Sequence, residues 1–190
     1  MIEEVLPQGR IEDLALGVRR DVRGMTALLT ELEPGAHIAA VFRSNLYGQY
    51  RVAGTVTHSE ALDTLVLAGQ PLHTGTKPAD NLVTLERLDD PQWAWQDSSR
   101  RHFAIADIGH GDLVAAHLRR KPYGSFTITG FAVATPPHCS LFTLGGWLLT
   151  HRQFRYVRTG IRALTRLSSP ADHGAPVPAP ITRWPETTPS

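Results

Sequence analysis

Gly35-Ala-His-Ile-Ala-Ala-Val-Phe-Arg43 lies over Gly111-Asp-Leu-Val-Ala-Ala-His-Leu-Arg119 when the chain is slid against itself by 76 positions, and Tyr47-Gly48 then lies over Tyr123-Gly124. From Gly35 to Gly54 the offset yields seven identities over 20 positions: Gly35, Ala39, Ala40, Arg43, Tyr47, Gly48 and Gly54. Ordinary residue frequencies give roughly one or two by chance. Ile38/Val114, Phe42/Leu118, Tyr50/Phe126 and Val52/Ile128 keep their character. The same offset pairs Leu65, Gly69, Leu72 and Thr74 with Leu141, Gly145, Leu148 and Thr150, and after a three-residue insertion Leu82–Leu88 meets Ile161–Leu167. A repeat of this length points to duplication of a whole folding unit.

Within each unit the hydrophobic period is two. Ile38, Ala40 and Phe42 alternate with His37, Ala39, Val41 and Arg43, and Tyr50, Val52, Gly54 and Val56 resume the alternation after a turn. That pattern predicts a hairpin, with Gly48 and Gly124 in the connection. Gly54 and Gly130 inside strands suggest bulges or bends. Thr64–Leu67 and Ser140–Leu144 read as third strands, and the apolar runs Ala27–Gly35 and Phe103–Gly111 as strands ahead of each hairpin. About five short strands per copy predict a mostly β chain of two tandem small barrels.

An apolar residue, a Pro-Gly or Gly-His-Gly-Asp turn, an alternating strand and a glycine-containing hairpin together resemble SH3-like and Sm-like small barrels, over Leu32–Leu72 and Ile108–Leu148. The resemblance implies binding of RNA, DNA, peptides or a second barrel; it transfers no functional residue, because one fold hosts many functions.

The expected organisation is an N-terminal helical segment (1–24), a first barrel (25–90), a linker (91–101), a second barrel (102–167) and a disordered proline-rich tail (168–190). Ile11, Leu14, Val18 and Val22 recur at helical spacing, which places an amphipathic helix at 10–23. Trp93 and Trp95 in the linker suit either a plug between barrels or a stacking surface, and Ile181 and Trp184 are candidates for a short partner-binding segment.

The 190 residues are 42% hydrophobic and carry a net charge of +1. No apolar run approaches a membrane span, the acidic N-terminus lacks the features of a secretory signal, and the lone Cys139 fits a reducing compartment, so the expectation is a cytoplasmic protein without a membrane partner. The near-neutral total hides a split. Residues 1–98 hold 8 Lys and Arg against 14 Asp and Glu, net −6, whereas residues 99–167 hold 10 against 2, net +8.

Eight excess positive charges suit phosphate backbones, and arginine grips phosphate bidentately. The candidate nucleic-acid-binding residues are Arg100, Arg101, Arg119, Arg120 and Lys121 near strand ends, and Arg152, Phe154, Arg155, Tyr156, Arg158 and Arg162 after the fourth strand. Alternating arginine and aromatic residues suit single strands, where phosphates pair and bases stack. The acidic barrel would then serve self-association or a protein partner. An alternative is a protein-only assembly in which acidic and basic barrels dock head to tail, with Phe154 and Tyr156 as core residues.

Motifs for nucleotide hydrolysis, dinucleotide binding, serine hydrolysis and zinc proteolysis are absent, so no cofactor is expected. Asp107, His110, Asp112 and His117 cluster in the second copy, where a metal-dependent enzyme would have its ligands; their spacing matches no familiar ligand set, and surface turn residues are the better explanation. His138-Cys139 is no catalytic pair by adjacency, since neighbouring strand residues point to opposite faces.

Overall fold

The computed structural model describes residues 14–89, 108–135, 141–150 and 161–183. The chain is mostly β with a helix near its N-terminus. Helix α1 spans Val22–Glu31 and is followed by β1 (His37–Ser44), β2 (Gly48–Ser59), β3 (Thr64–Leu67), β4 (Gln70–Pro71), β5 (His73–Thr74), β6 (Lys77–Pro78) and β7 (Leu82–Arg87). The second half runs β8 (Leu113–Arg120), β9 (Gly124–Thr135), β10 (Leu141–Leu144), β11 (Trp147–Thr150) and β12 (Ile161–Ser168), ending in the short helix α2 (Pro170–His173).

The alternation read from the sequence does produce the two hairpins. In the first, Ile38 faces Gly54, Ala40 faces Val52 and Phe42 faces Tyr50, and the Ser44 hydroxyl accepts the Leu46 and Tyr47 amides to close the turn. Gly48 at φ +70° and Gly124 at φ +75° supply the positive φ that the turns require. In the second, Val114 faces Gly130, Ala116 faces Ile128 and Leu118 faces Phe126, the same register 76 residues on.

The outer strands repeat this correspondence. Ala40 faces Leu85 and Phe42 faces Leu82, while Ala116 faces Leu164 and Leu118 faces Ile161, which places the three-residue insertion where the sequence has it. At β3 and β10 the offset is 77 rather than 76: Val56 faces Leu67, and Ala132 faces Leu144. Gly69 therefore corresponds to Gly146, and Gln70 to Trp147.

The expected pair of closed barrels is not what these strands build. Among the described residues the ladder stays open: β2 and β9 pair with each other, so β7-β1-β2-β9-β8-β12 run side by side in one sheet, with β3–β4 and β10–β11 extending from the bent far ends of β2 and β9. The physical reason is visible in the seam, where Tyr50 lies over Gly130 and Phe126 lies over Gly54. A Cβ on Gly130 would sit 2.8 Å from Tyr50 Cβ, and one on Gly54 2.9 Å from Phe126 Cβ. The strand glycines accommodate the aromatic residues of the other half. Phe42, Tyr50, Val52, Leu118, Phe126 and Ile128 consequently belong to a single core shared by both halves.

Two terminal segments differ from expectation. The helix lies at Val22–Glu31, capped by Asp21 accepting from the Gly24 amide at 3.1 Å, and it buries Met25 and Leu29 against the core. The expected helix at 10–23 is thus displaced, and the expected strand from Ala27 is largely helix. Val18 and Val22 are exposed, while Leu14 is buried. Helical spacing at Met25, Leu29 and Leu32 competes with the earlier series and wins because it has a core to face.

The tail expected to be disordered is packed as far as Ile181. Val177 and Pro170 lie over Gly111, Pro178 and Phe131 both lie over Gly48, and the Ile181 amide donates to Ala134 O at 2.8 Å. Ile181 shares a cluster with Leu14, Leu113, Phe131 and Val133 on the sheet's second face. Proline-rich composition lowers the entropy lost on ordering, and the apolar residues spaced along it have somewhere to go. Trp184 and the linker residues Trp93 and Trp95 lie outside the described residues.

Candidate functional site

Of the eleven candidate nucleic-acid-binding residues, Arg119, Arg120, Lys121 and Arg162 are described; Arg100, Arg101, Arg152, Phe154, Arg155, Tyr156 and Arg158 lie outside the described residues, as do His138 and Cys139. The four are brought to one end of the second hairpin. Arg119 and Arg120 end β8, Lys121 opens the turn, and Arg162 follows Ile161, which starts β12 opposite Leu118. They do not share a face, because successive strand residues point oppositely. Arg119, Lys121 and Arg162 are exposed, whereas Arg120 is half-buried.

Arg120 is held by a ring rather than a carboxylate. Its guanidinium carbon sits 5.0 Å from the centroid of Trp147, and its buried Nε has no hydrogen-bond partner among the described residues. A desolvated cation over an indole gains on the order of 1–2 kcal/mol and keeps its outer N–H groups open to an anion. Trp147 is itself fixed by Phe126 at 5.2 Å and by the edge of Tyr123 at 6.3 Å.

Trp147 and Tyr123 form one side of a groove of about 530 Å³ lying over the β2–β9 seam. Its walls exchange residues between halves. Tyr123 of the second turn packs on Gly69 of the first half, with a Cβ there falling 3.0 Å from its ring, and Tyr47 of the first turn packs on Gly146 of the second at 3.2 Å. Tyr50 lies on Gly145 and stacks on Phe42 at 5.7 Å. Burial, with the neighbouring Tyr47 as a smaller cause, pushes the Tyr50 hydroxyl up to about 12, so it remains a hydrogen-bond donor at neutral pH. Arg43, Gln70 and Asn81 also line it, and no carboxylate is among the described lining residues.

Trp147, Gln70 and Asn81 were not singled out by sequence reasoning. The available signal was the tyrosine recurring at 47 and 123 beside a glycine, which reads as turn chemistry until the other half is in place.

The histidine–carboxylate cluster does not converge. His110 Nδ1 accepts the Ala134 amide at 3.1 Å, Asp112 accepts the Gly109 amide at 2.7 Å and lies 3.9 Å from Arg166, and His117 shares a hydrogen bond with Thr127 at 3.2 Å. Asp112 and His117 are buried rather than surface turn residues. Burial and then the nearby Arg162 charge bring the His117 imidazole down to about 4, which keeps it neutral. Asp107 lies outside the described residues, and among those described no three His, Cys, Asp or Glu side chains are placed to hold a metal. No helix among the described residues is long and apolar enough to cross a membrane.

No protein-family model matches the chain, and no curated protein or solved structure matches it either.

Proposed function

We propose that this is a non-enzymatic binding protein whose basic second half holds single-stranded nucleic acid, while the acidic first half serves self-association or a protein partner. We also infer that the halves arose by tandem duplication of one small β unit of SH3-like character, supported by the equivalent ladder registers.

The observation that carries the nucleic-acid reading is that no ion pair joins the two halves among the described residues. The ion pairs between described residues are Arg51–Glu86 and His58–Asp63 in the first half and Arg166–Asp112 in the second, and none joins the halves. The halves meet instead through a ladder and an apolar core. Among the described basic residues of the second half, Arg119, Arg120, Lys121 and Arg162 are in no ion pair with another described residue, and their charge supports an external anion as partner. Arg120 over Trp147 supplies, in one contact, the charge and the ring that a phosphate and a base require.

The test is fluorescence anisotropy with labelled single-stranded DNA, single-stranded RNA and duplex across a salt series, beside the double variant Arg119→Glu, Lys121→Glu. Both residues are exposed, so the fold should survive. Affinity should fall linearly in log salt, by about 0.7 of a slope unit per phosphate contacted on a single strand, and the variant should bind weakly. Absence of binding at low salt overturns the reading.

A second reading rests on the sheet edges. Among the described residues β7 pairs only with β1 and β12 only with β8, and β7 carries Glu86 beside Arg87 while β12 carries Arg162 and Arg166. Edge-to-edge addition of successive chains, the acidic first half of one against the basic second half of the next, would make a head-to-tail assembly. Sedimentation showing concentration-dependent growth without nucleic acid favours it.

A further inference from the structure

The seam groove has features that strand binding at the basic end does not use. Tyr47, Tyr123 and Trp147 present ring surfaces, and Gln70 and Asn81 present side-chain amides that make no hydrogen bond to another described residue. Arg43 is the only charged residue among the described lining residues, and its side chain has no described ion-pair partner.

Each feature restricts the occupant. Rings in this number favour a flat aromatic ligand. Unengaged amides favour one whose edge offers adjacent donors and acceptors, because an amide pairs bidentately with such an edge. Arginine without a carboxylate favours a ligand that carries negative charge. A volume of about 530 Å³ admits one such unit and not a stack of several.

We propose that the groove over the β2–β9 seam is a binding site for a single unstacked nucleobase with its phosphate, the base held between the Tyr47, Tyr123 and Trp147 rings and read by Gln70 and Asn81. The inference rests on the strand-binding reading for the source of the base, and a free mononucleotide offers the same chemistry. Arg120 links the two regions, since the ring it covers is a wall of the groove. A strand crossing the basic end would pass that ring, and extruding one base exchanges stacking within the strand for stacking on protein.

The full-length protein is tested in two arms. In the first, single-stranded oligonucleotides carrying one 5-iodouracil are irradiated in complex, and adducts are mapped by mass spectrometry. In the second, the nucleoside monophosphates are titrated calorimetrically against wild type and the double variant Gln70→Ala, Asn81→Ala, whose circular dichroism is checked first. We expect adducts on Tyr47, Tyr123 or Trp147, and monophosphate affinity lowered about tenfold in the variant, the loss typical of a bidentate base contact.

Strand binding with adducts only on other residues, and no monophosphate binding, overturns the groove site while leaving the strand reading in place. Monophosphate binding that the variant abolishes, without strand binding, keeps the groove and overturns the strand reading. Groove adducts without monophosphate binding support a base delivered within a strand. Monophosphate binding unchanged in the variant overturns the roles of Gln70 and Asn81.

Discussion

Val52 stands directly opposite Ile128 in the ladder between β2 and β9, and Ile128 is the residue that lies 76 positions further along the chain. A pseudo-two-fold axis therefore passes between them. Moving outward from it, Tyr50 meets Gly130 and Gly54 meets Phe126, so each aromatic residue of one half covers the glycine of the other.

That exchange predicts the cost of a methyl group at the seam. Gly130→Ala places a Cβ 2.8 Å from Tyr50 Cβ, an atom fixed to the backbone of a central strand. The ladder must shift, and the variant should lose about 1–3 kcal/mol of unfolding free energy in urea. Gly54→Ala should behave alike through Phe126. Unchanged midpoints for both would contradict the close approach.

The packed C-terminal segment makes a second prediction. Ile181 is 7% exposed among Leu14, Leu113, Phe131 and Val133. Ile181→Ala should cost about 2–4 kcal/mol, as for a core isoleucine. A value near zero, by thermal denaturation, would return the segment to a disordered tail.

His117 should make stability fall in mild acid. Its folded pKa, about 4, lies below the ordinary 6.5, so the folded state disfavours the proton. The stabilisation is complete above pH 6.5 and is lost as pH falls toward 4, at up to about 1.4 kcal/mol per pH unit. In His117→Asn this part of the slope should vanish. Imidazole titration followed by NMR checks the assignment, and Arg162→Gln should move that titration upward.

Tyr50 acts at the other end of the scale. With its hydroxyl raised to about 12, folding disfavours the phenolate, so the stabilisation holds below pH 10 and is lost between pH 10 and 12. Phenolate absorbance at 295 nm should show one tyrosine titrating late and together with unfolding. Tyr50→Phe should remove that late component.

The hairpins were legible from the chain because alternation and turn glycines are local signals. Phe42, Tyr50, Leu118 and Phe126 all face the core as their periodicity requires. Alternation assigns a side chain to a face, but it does not say which strand edge meets which. The repeated Gly54 and Gly130 therefore read as bulges, when their role is to receive Phe126 and Tyr50. α1 was displaced because two helical series overlap near residue 22, and only burial distinguishes them. The charge split was visible in composition, whereas the groove was not: Tyr123 and Gly69 are far apart in sequence and meet only when the halves join.

The seam has a consequence for ancestry and for dissection. Its register is centred on corresponding residues, so the β2 edge of the first half is complementary to itself: Val52 would meet Val52 of a second copy, and Tyr50 would meet Gly54. A polypeptide of half this length need not have been a lone monomer with an open edge, since it could have dimerised through the same strand. Under the duplication inferred above, the present chain corresponds to such a homodimer with its partners tethered, freed by covalent linkage to carry opposite charge on its two sides.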